Sequence, residues 1–215
     1  PITFEQLPTN MVNALIATED ERFYEHAGID WRGTLRAFVY LGKRGGASTI
    51  SQQLARQIFV GVRSRNIVKT VLQKAQEWVI AIQLEQRYTK KEILAMYLNK
   101  YDFGYQADGV QSAAKIFFNK TPQALSIEES ATLVGMLKNS SLFNPIRRPE
   151  RVKERRNTVF QQMLRNDLIS AEALDSLSKL PLVISYTPES HREGLATYFR
   201  AYLKEFMDGW INANP

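Results

Sequence analysis

Two acidic residues occupy positions where a carboxylate could take part in chemistry, and Glu19 is the first. It continues an apolar stripe formed by Val12, Leu15 and Ile16, at i, i+3, i+4 and i+7 of a predicted helix. Partial removal from water would make such a carboxylate a better proton acceptor, as a general base requires. A charged residue at the end of a helix is also commonly just solvated. Position alone leaves both interpretations open.

The second acidic residue, Glu77, directly precedes the run Trp78 to Ile82. This run is apolar on every side of a helix, so it is predicted to be buried all round. Gln73 and Lys74 lie four and three residues before Glu77, on the same helix face. An ordinary i, i+3 ion pair is one interpretation. The other is that a carboxylate beside a lysine holds a metal ion or a phosphate group.

The elements that position these acids are predicted to be helical almost throughout. Residues 41–46 (LGKRGG) are glycine-rich and basic, and predict a loop. The residue pattern changes near Pro181, where we place a domain boundary. Residues 182–186 are predicted to be extended, and residues 191–209 are predicted to be helical. Helices are predicted from a cap at Thr9, over 66–88 and 91–101, from a capping box at Ser126 and Glu129 to residue 137, from Pro149, and from a cap at Ser170 to residue 179.

Composition narrows the function classes without choosing among them. The chain of 215 residues contains no Cys, which excludes a disulfide framework, a thiolate zinc site and a thiol nucleophile. Its net charge of +6 favours nucleic acid, anionic lipid or a phosphorylated substrate, or simply maintains solubility. No apolar stretch approaches the roughly 20 residues that span a bilayer, and no signal peptide is visible.

Five strings in the chain, taken in order, resemble the motifs of the peptidoglycan glycosyltransferases. Each string is short, but their order and spacing over residues 3–180 make the resemblance specific. Residues 193–199 (EGLATYF) are in addition similar to the connector into the transpeptidase domain of class A penicillin-binding proteins. The five strings are 19–30 (EDERFYEHAGID), 46–56 (GASTISQQLAR), 74–77 (KAQE), 90–99 (KKEILAMYLN) and 155–159 (RRNTV).

The resemblance implies a mainly α fold, with a lysozyme-like helical main lobe and a small membrane-associated lobe. Residues 1–180 would form the glycosyltransferase domain, and residues 181–215 a connector toward a transpeptidase domain absent from this chain. The enzyme would polymerise lipid II into glycan strands with inversion at the donor carbon, releasing undecaprenyl pyrophosphate. It would work on the periplasmic face of the cytoplasmic membrane, anchored by an N-terminal segment that this chain lacks. Apolar residues 38–41 would dip into the membrane, and nucleic acid would not be a partner.

The resemblance also implies roles for individual residues. Glu19 would be the general base, and Glu77 the second catalytic acid. A divalent cation, Mg²⁺ or Mn²⁺, could be held near Glu77 and help to neutralise the leaving pyrophosphate. The residues implied in substrate binding are Asp20, Phe23, His26, Ser48, Thr49, Gln52, Gln53, Arg56, Lys74, Tyr97, Asn99 and Arg156.

Four positions depart from the family pattern: Gln73 replaces an Arg, Gln57 an Asn, and Asp102 and Asp108 stand where Tyr is common. Without the Arg, donor binding is expected to shift onto Lys69, Lys74 and Arg56.

Two other function classes are compatible with parts of the pattern. A lysozyme-like glycoside hydrolase acting on peptidoglycan would also need a carboxylate in an apolar pocket, although it has no use for cations at a lipid pyrophosphate. A non-catalytic lipid II binding module would tolerate loss of the acids, and both are present. The S-x-x-K string at 176–179 resembles a penicillin-binding active site, but no K-T-G partner accompanies it.

Overall fold

The computed structural model describes residues 1–39, 48–61, 64, 66–187 and several single positions beyond 198, with the side chains of 37–39 excepted. The predicted loop at 41–46 and most of the predicted helix at 191–209 lie outside the described residues. The same is true of the side chains at 38–41, which were expected to enter a membrane.

The described residues fold almost entirely into helices, and they contain no β-strand beyond one isolated bridge between Asp102 and Asp108. The predicted mainly α fold is therefore confirmed. Short 3₁₀ turns lie at Phe4–Gln6, Phe23–Glu25 and Pro122–Ala124, and a π-helical turn at Arg56–Val60. The α-helices are α1 Thr9–Glu19, α2 Trp31–Val39, α3 Ile50–Ala55, α4 Ile67–Arg87, α5 Lys90–Lys100, α6 Gly109–Phe118, α7 Ile127–Met136, α8 Pro149–Arg165 and α9 Ala171–Lys179.

Helix ends follow the capping residues in the sequence, with one correction. The side chains of Ser126 and Ser170 accept hydrogen bonds from backbone N–H groups in the first turns of α7 and α9, as predicted. The side chain of Asn66 does the same at the start of α4. The expected cap at Thr9 is wrong by one residue. Pro8 holds the N-cap position, because its extended backbone lets its carbonyl accept from Met11 and Val12 while Thr9 is already helical.

The apolar core places the end of α1 among three other helices. Helix α1 packs against α7 and α8, and Met11 and Leu15 on its inner face are fully buried. Helix α3 packs against α4 and α5. Because Glu19 is the last residue of α1, this packing carries it to the junction of the two groups of helices.

Helix α4 contradicts the expectation that the run from Trp78 to Ile82 is buried all round. Ala81 is fully buried, but Val79 is 55% exposed and Ile82 is 37% exposed. Only one side of α4 is covered by α3 and its neighbours, so an apolar run did not imply burial here. We call the exposed apolar face of this helix the α4 stripe; it comprises Val68, Val71, Leu72, Val79 and Ile82. Within the described part of the chain, no helix is both long and apolar enough to cross a membrane.

Candidate active site

The side chain of Glu19 is held in place from two sides. It is only 14% exposed, so Glu19 is not a freely solvated helix end. One carboxylate oxygen, Oε2, accepts a hydrogen bond of 3.1 Å from Nε2 of Gln53 on α3. The other, Oε1, lies 3.6 Å from the guanidinium of Arg155 on α8. The carboxylate is thus fixed between a neutral donor and a cation, which is the type of preorganisation that a general base needs.

Tyr97 determines which end of the Gln53 amide faces Glu19. The buried hydroxyl of Tyr97 donates to Oε1 of Gln53 at 3.0 Å. Burial, together with the nearby charge of Glu19, raises the pKa of Tyr97 well above its ordinary value. The hydroxyl therefore remains a donor, and the amide must point its NH₂ group toward the carboxylate.

Arg155 reaches Glu19 by crossing helix α7 at a glycine. Its Nε donates to the carbonyl of Gly135 at 3.4 Å, and its guanidinium lies over the ring of Phe143, 5.8 Å from the centroid. A Cβ at Gly135 would lie 3.1 Å from Cγ of Arg155, tighter than most real contacts. Burial lowers the pKa of Arg155 while the charge of Glu19 opposes that effect, and an arginine remains charged under such conditions.

Asp20 and His26 fasten the end of α1 to the start of α3. The Asp20 carboxylate accepts from the backbone N–H of Ile50 at 3.0 Å and contacts Nε2 of His26 at 3.0 and 3.1 Å. Nδ1 of His26 is buried and has no hydrogen-bond partner among the described residues, so the geometry favours the tautomer with its proton on Nε2. Phe23 is fully buried and meets the His26 ring edge-on.

The N-terminus of α3 is anchored to the carbonyl of Gly28. The Thr49 hydroxyl donates to this carbonyl at 2.7 Å and accepts from the N–H of Gln52 at 3.2 Å, while Nε2 of Gln52 donates to the same carbonyl at 3.3 Å. Gly28 has φ +91°, and a Cβ there would lie 2.8 Å from the backbone of Ala81 on α4. Only glycine permits this close approach.

Lys74 forms hydrogen bonds with Glu77 and with two neutral polar side chains. Its ammonium donates to Oγ of Ser48 at 3.0 Å, to Oε1 of Gln52 at 2.9 Å and to Oε2 of Glu77 at 2.9 Å. Glu77 is only 1% exposed, so this pair is much more deeply buried than an ordinary surface i, i+3 pair. The carboxylate of Glu77 thereby holds a cation beside Ser48.

A cleft of about 670 Å³ lies beside these groups. Glu19, Ser48, Thr49 and Arg155 contribute to its wall. One face of α8 extends the same wall at i, i+3, i+7 and i+10. The sequence interpretation missed these residues, although their helical spacing from Arg155 could have revealed them: Thr158, Gln162 and Arg165.

Among the residues implied in substrate binding, Asp20, Ser48 and Thr49 line this cleft. The others lie outside its wall: Phe23, His26, Gln52, Gln53, Arg56, Lys74, Tyr97, Asn99 and Arg156. Arg156 is 1% exposed, and its guanidinium donates to the carbonyls of Leu180 at 2.6 Å and Pro181 at 3.1 Å. Successive helical residues point about 100° apart, which is why Arg155 takes the place at the cleft that was expected for Arg156. The Asn99 side chain exchanges two hydrogen bonds with the backbone of Ile2 and so fastens the N-terminal segment to α5.

The departures from the family pattern have local structural roles. Oε1 of Gln73 accepts from the N–H of Ser64 at 2.9 Å, which ties α4 to the segment before it. Oδ1 of Asp102 accepts from the N–H of Gly104, and Asp108 is the N-cap residue of α6. Gln57 lies in the π-helical turn that opens with Arg56.

The described residues contain no group of three or more His, Cys, Asp or Glu side chains suited to a metal ion. Glu77 could contribute a single carboxylate, and one of its oxygens already accepts from Lys74. A hard divalent cation can be held by one carboxylate when substrate phosphates complete its shell. Glu77 fits such an ion only in the company of a phosphorylated ligand.

Comparison with known proteins agrees with this helical fold. Residues 1–164 match the family described as Transglycosylase. Penicillin-binding protein 1A of Haemophilus influenzae is 42% identical over 86% of this chain and 22% of its own length. Penicillin-binding protein 1A of Escherichia coli is 44% identical over 81% of this chain and 20% of its own length. Penicillin-binding protein 1F of Bacillus subtilis is 38% identical over 97% of this chain and 29% of its own length.

A solved structure supports the same conclusion. The crystal structure of penicillin-binding protein 1A from Haemophilus influenzae superposes with a TM-score of 0.54 at 26% identity, covering 96% of this chain and 20% of that one. The helical fold is thus that of a lysozyme-like transglycosylase domain. The chain belongs to the Transglycosylase family and spans about a fifth to three tenths of the length of the penicillin-binding proteins that it matches.

Proposed function

We propose that this domain is a peptidoglycan glycosyltransferase that polymerises lipid II into glycan strands. The observation that carries the proposal is the placement of Glu19 in the cleft, between the amide of Gln53 and the guanidinium of Arg155. The acceptor would supply a sugar 4-hydroxyl, which is a poor nucleophile near neutral pH and needs a base. Glu19 would take the hydroxyl proton as the new glycosidic bond forms.

The bond that breaks joins the donor anomeric carbon to the pyrophosphate lipid. Attack from the opposite face inverts that carbon, and undecaprenyl pyrophosphate leaves with the bonding electron pair. This leaving group requires neutralisation of charge more than protonation. Lys74, held beside Ser48 and Gln52 by the buried Glu77, is suited to that task, and Arg56 at the end of α3 would add a second cation.

A divalent cation at Glu77 would supply further charge neutralisation to the pyrophosphate. Glu77 would hold it together with the substrate's phosphate oxygens, while Lys74 remains the protein's own cation at this position. Replacing Glu77 by Gln should therefore weaken turnover strongly, but less completely than loss of Glu19. Equal residual rates for the two variants at every metal concentration would contradict this division of labour.

The substrate's polyprenyl chain requires the domain to work at a membrane surface. The α4 stripe offers an exposed apolar face, and the chain's net charge of +6 favours anionic headgroups, each basic residue near the surface adding about 1 kcal/mol. We propose that this face meets the lipid on the periplasmic side of the cytoplasmic membrane. The growing glycan strand would be the second partner, and a transpeptidase domain would belong to the same full-length protein.

A time course with purified domain and labelled lipid II tests the proposed reaction. Glu19→Gln should retain the fold and abolish polymer formation, whereas Glu172→Gln, an exposed first-turn residue of α9, should polymerise normally. More than a tenth of wild-type turnover in Glu19→Gln, at unchanged thermal stability, would remove Glu19 as the base. Release of reducing ends from polymeric peptidoglycan, without polymer formed from lipid II, would establish the hydrolase instead.

A further inference from the structure

An ion pair outside the wall of the cleft has no role in the reaction described above. Glu85 near the end of α4 has a side chain only 5% exposed, and its Oε1 lies 2.8 Å from Nζ of Lys90, the first residue of α5. The same oxygen accepts a 2.6 Å hydrogen bond from the hydroxyl of Ser51 on α3. Neither Glu85 nor Lys90 lines the cleft.

The Lys90 ammonium has three partners, two hydrogen-bond acceptors and an aromatic ring. Besides Glu85, the ammonium donates to the carbonyl of His26 at 2.6 Å, and it lies 4.3 Å from the centroid of the Phe23 ring. The N-terminus of a helix disfavours a positive charge, so α5 itself does not stabilise Lys90 at this position. Its stability there derives from these three contacts, and two of them involve the 3₁₀ turn that follows Glu19 and the C-cap residue of that turn, His26.

The contacts form a closed ring of hydrogen bonds. Lys90 holds the backbone of His26, the His26 side chain meets the Asp20 carboxylate, and Asp20 accepts from the N–H of Ile50. Ser51, which follows Ile50 on α3, donates a hydrogen bond to Glu85. Glu85 in turn accepts from Lys90, which completes the ring. Asp20 directly follows Glu19, so this ring fixes the end of α1 relative to α3.

We infer that Glu85 and Lys90 are positioning residues for the base, setting the angle at which α1 presents Glu19 to Gln53 on α3. The inference rests on the proposed function, because it assigns a role within the same reaction. A loosened ring would leave substrate binding at Lys74 and Ser48 in place while Glu19 lost its alignment. Loss of the Glu85–Lys90 pair should therefore lower kcat and leave KM nearly unchanged.

The test uses a double variant, Glu85→Gln with Lys90→Met, because removal of one partner alone would leave an unpaired buried charge. The matched control is Glu129→Gln with Lys120→Met, which removes another ion pair, also at 2.8 Å but away from the cleft. With lipid II as substrate, the Glu85/Lys90 variant should lose about tenfold or more in kcat with KM within about threefold of wild type. The control should keep its kcat.

A second background separates positioning from a general loss of structure. In a Gln53→Met protein the alignment of Glu19 is already released, so the Glu85/Lys90 substitutions should cost much less than in wild type. Ser51→Ala, which leaves both charges paired, should lower kcat by about threefold and serves if the double variant does not fold. A kcat equal to that of the control, additive losses in the Gln53→Met protein, or an unchanged kcat in Ser51→Ala would each overturn the inference. Absence of polymer from the wild-type domain would count against the proposed function instead.

Discussion

Removing one hydroxyl, that of Tyr97, should separate the orientation of the general base from the stability of the fold. Tyr97→Phe leaves the ring in the core and deletes only the donor that holds Oε1 of Gln53 at 3.0 Å. The Gln53 amide can then rotate and present its oxygen to the Glu19 carboxylate, with which it cannot hydrogen-bond. Turnover should fall, since part of the population would hold Glu19 without its donor.

Deletion of the Tyr97 hydroxyl should lower both the stability of the fold and the rate of turnover, and the size of each effect can be worked out. A buried acceptor left without a partner costs about 1–3 kcal/mol of folding free energy. For a chain of this size each kcal/mol lowers the melting temperature by about 2–4 °C. If the lost preference between the two amide orientations is about 1–2 kcal/mol, kcat should fall by about 5- to 30-fold.

Tyr101→Phe is the matched control for this experiment. The Tyr101 hydroxyl donates to the carbonyl of Met136 at 3.0 Å, so its loss carries a similar cost in stability. It contacts neither Gln53 nor Glu19 through a hydrogen bond. The expected result is a comparable fall in melting temperature for both variants and a fall in kcat for Tyr97→Phe alone, measured by calorimetry and lipid II turnover.

Two results would show that the Tyr97 hydroxyl does not act through Gln53. If both variants lose the same stability and Tyr97→Phe keeps the kcat of Tyr101→Phe, the Tyr97 hydroxyl does not orient Gln53. If Tyr97→Phe still lowers kcat in a Gln53→Met background by its full factor, the effect does not pass through the amide.

Two further predictions concern the membrane and alkaline pH. Binding to anionic liposomes, measured by flotation, should weaken in high salt without vanishing. Replacing Val71 and Leu72 of the α4 stripe with Ser should remove the binding that persists in high salt. Binding abolished by salt alone would show a purely electrostatic contact. Burial raises the pKa of Tyr97 well above its ordinary value of 10.0 and raises that of Tyr101 to about 12. The contribution of the two hydroxyls to folding stability is therefore complete below pH 10, and it is lost as the pH rises toward the pKa values of the folded state. Calorimetry from pH 9 to about 12 should therefore show a decline that is smaller in the Tyr97→Phe/Tyr101→Phe protein; equal slopes would contradict it.

Helix ends were the most predictable part of the fold, because their signals are local. The caps at Ser126 and Ser170, the helix-opening Pro149 and the start of α4 next to Asn66 lie where the sequence predicts. A cap needs only residues within one turn. Burial was less predictable. Val79 and Ile82 are apolar yet exposed, because a helix's apolar face reveals nothing about what covers it.

The sequence motifs pointed to candidate site residues, but not to the contacts between them. The sequence marked Glu19 and Gln53 as separate participants, while the hydrogen bond between them spans 34 positions and depends on the packing of α1 against its neighbours. Arg155 and Arg156 are adjacent, and only the helix rotation decides which one faces the cleft. Lys90 and Glu85 left no periodic signal, since their other partners lie on α3 and in the segment 23–26.

Helix α3 explains why these contacts act together. All six of its residues are buried, although three are polar, and a helix this short is unstable in isolation. Each polar side chain has its own hydrogen-bond partners: Ser51 bonds to Glu85, Gln52 to Lys74 and the carbonyl of Gly28, and Gln53 to Glu19 and Tyr97. A shift of α3 by one residue would break every one of these bonds at once and leave buried polar groups unpaired. The helix consequently has one favourable register, and that register is the one that aligns Gln53 with the base.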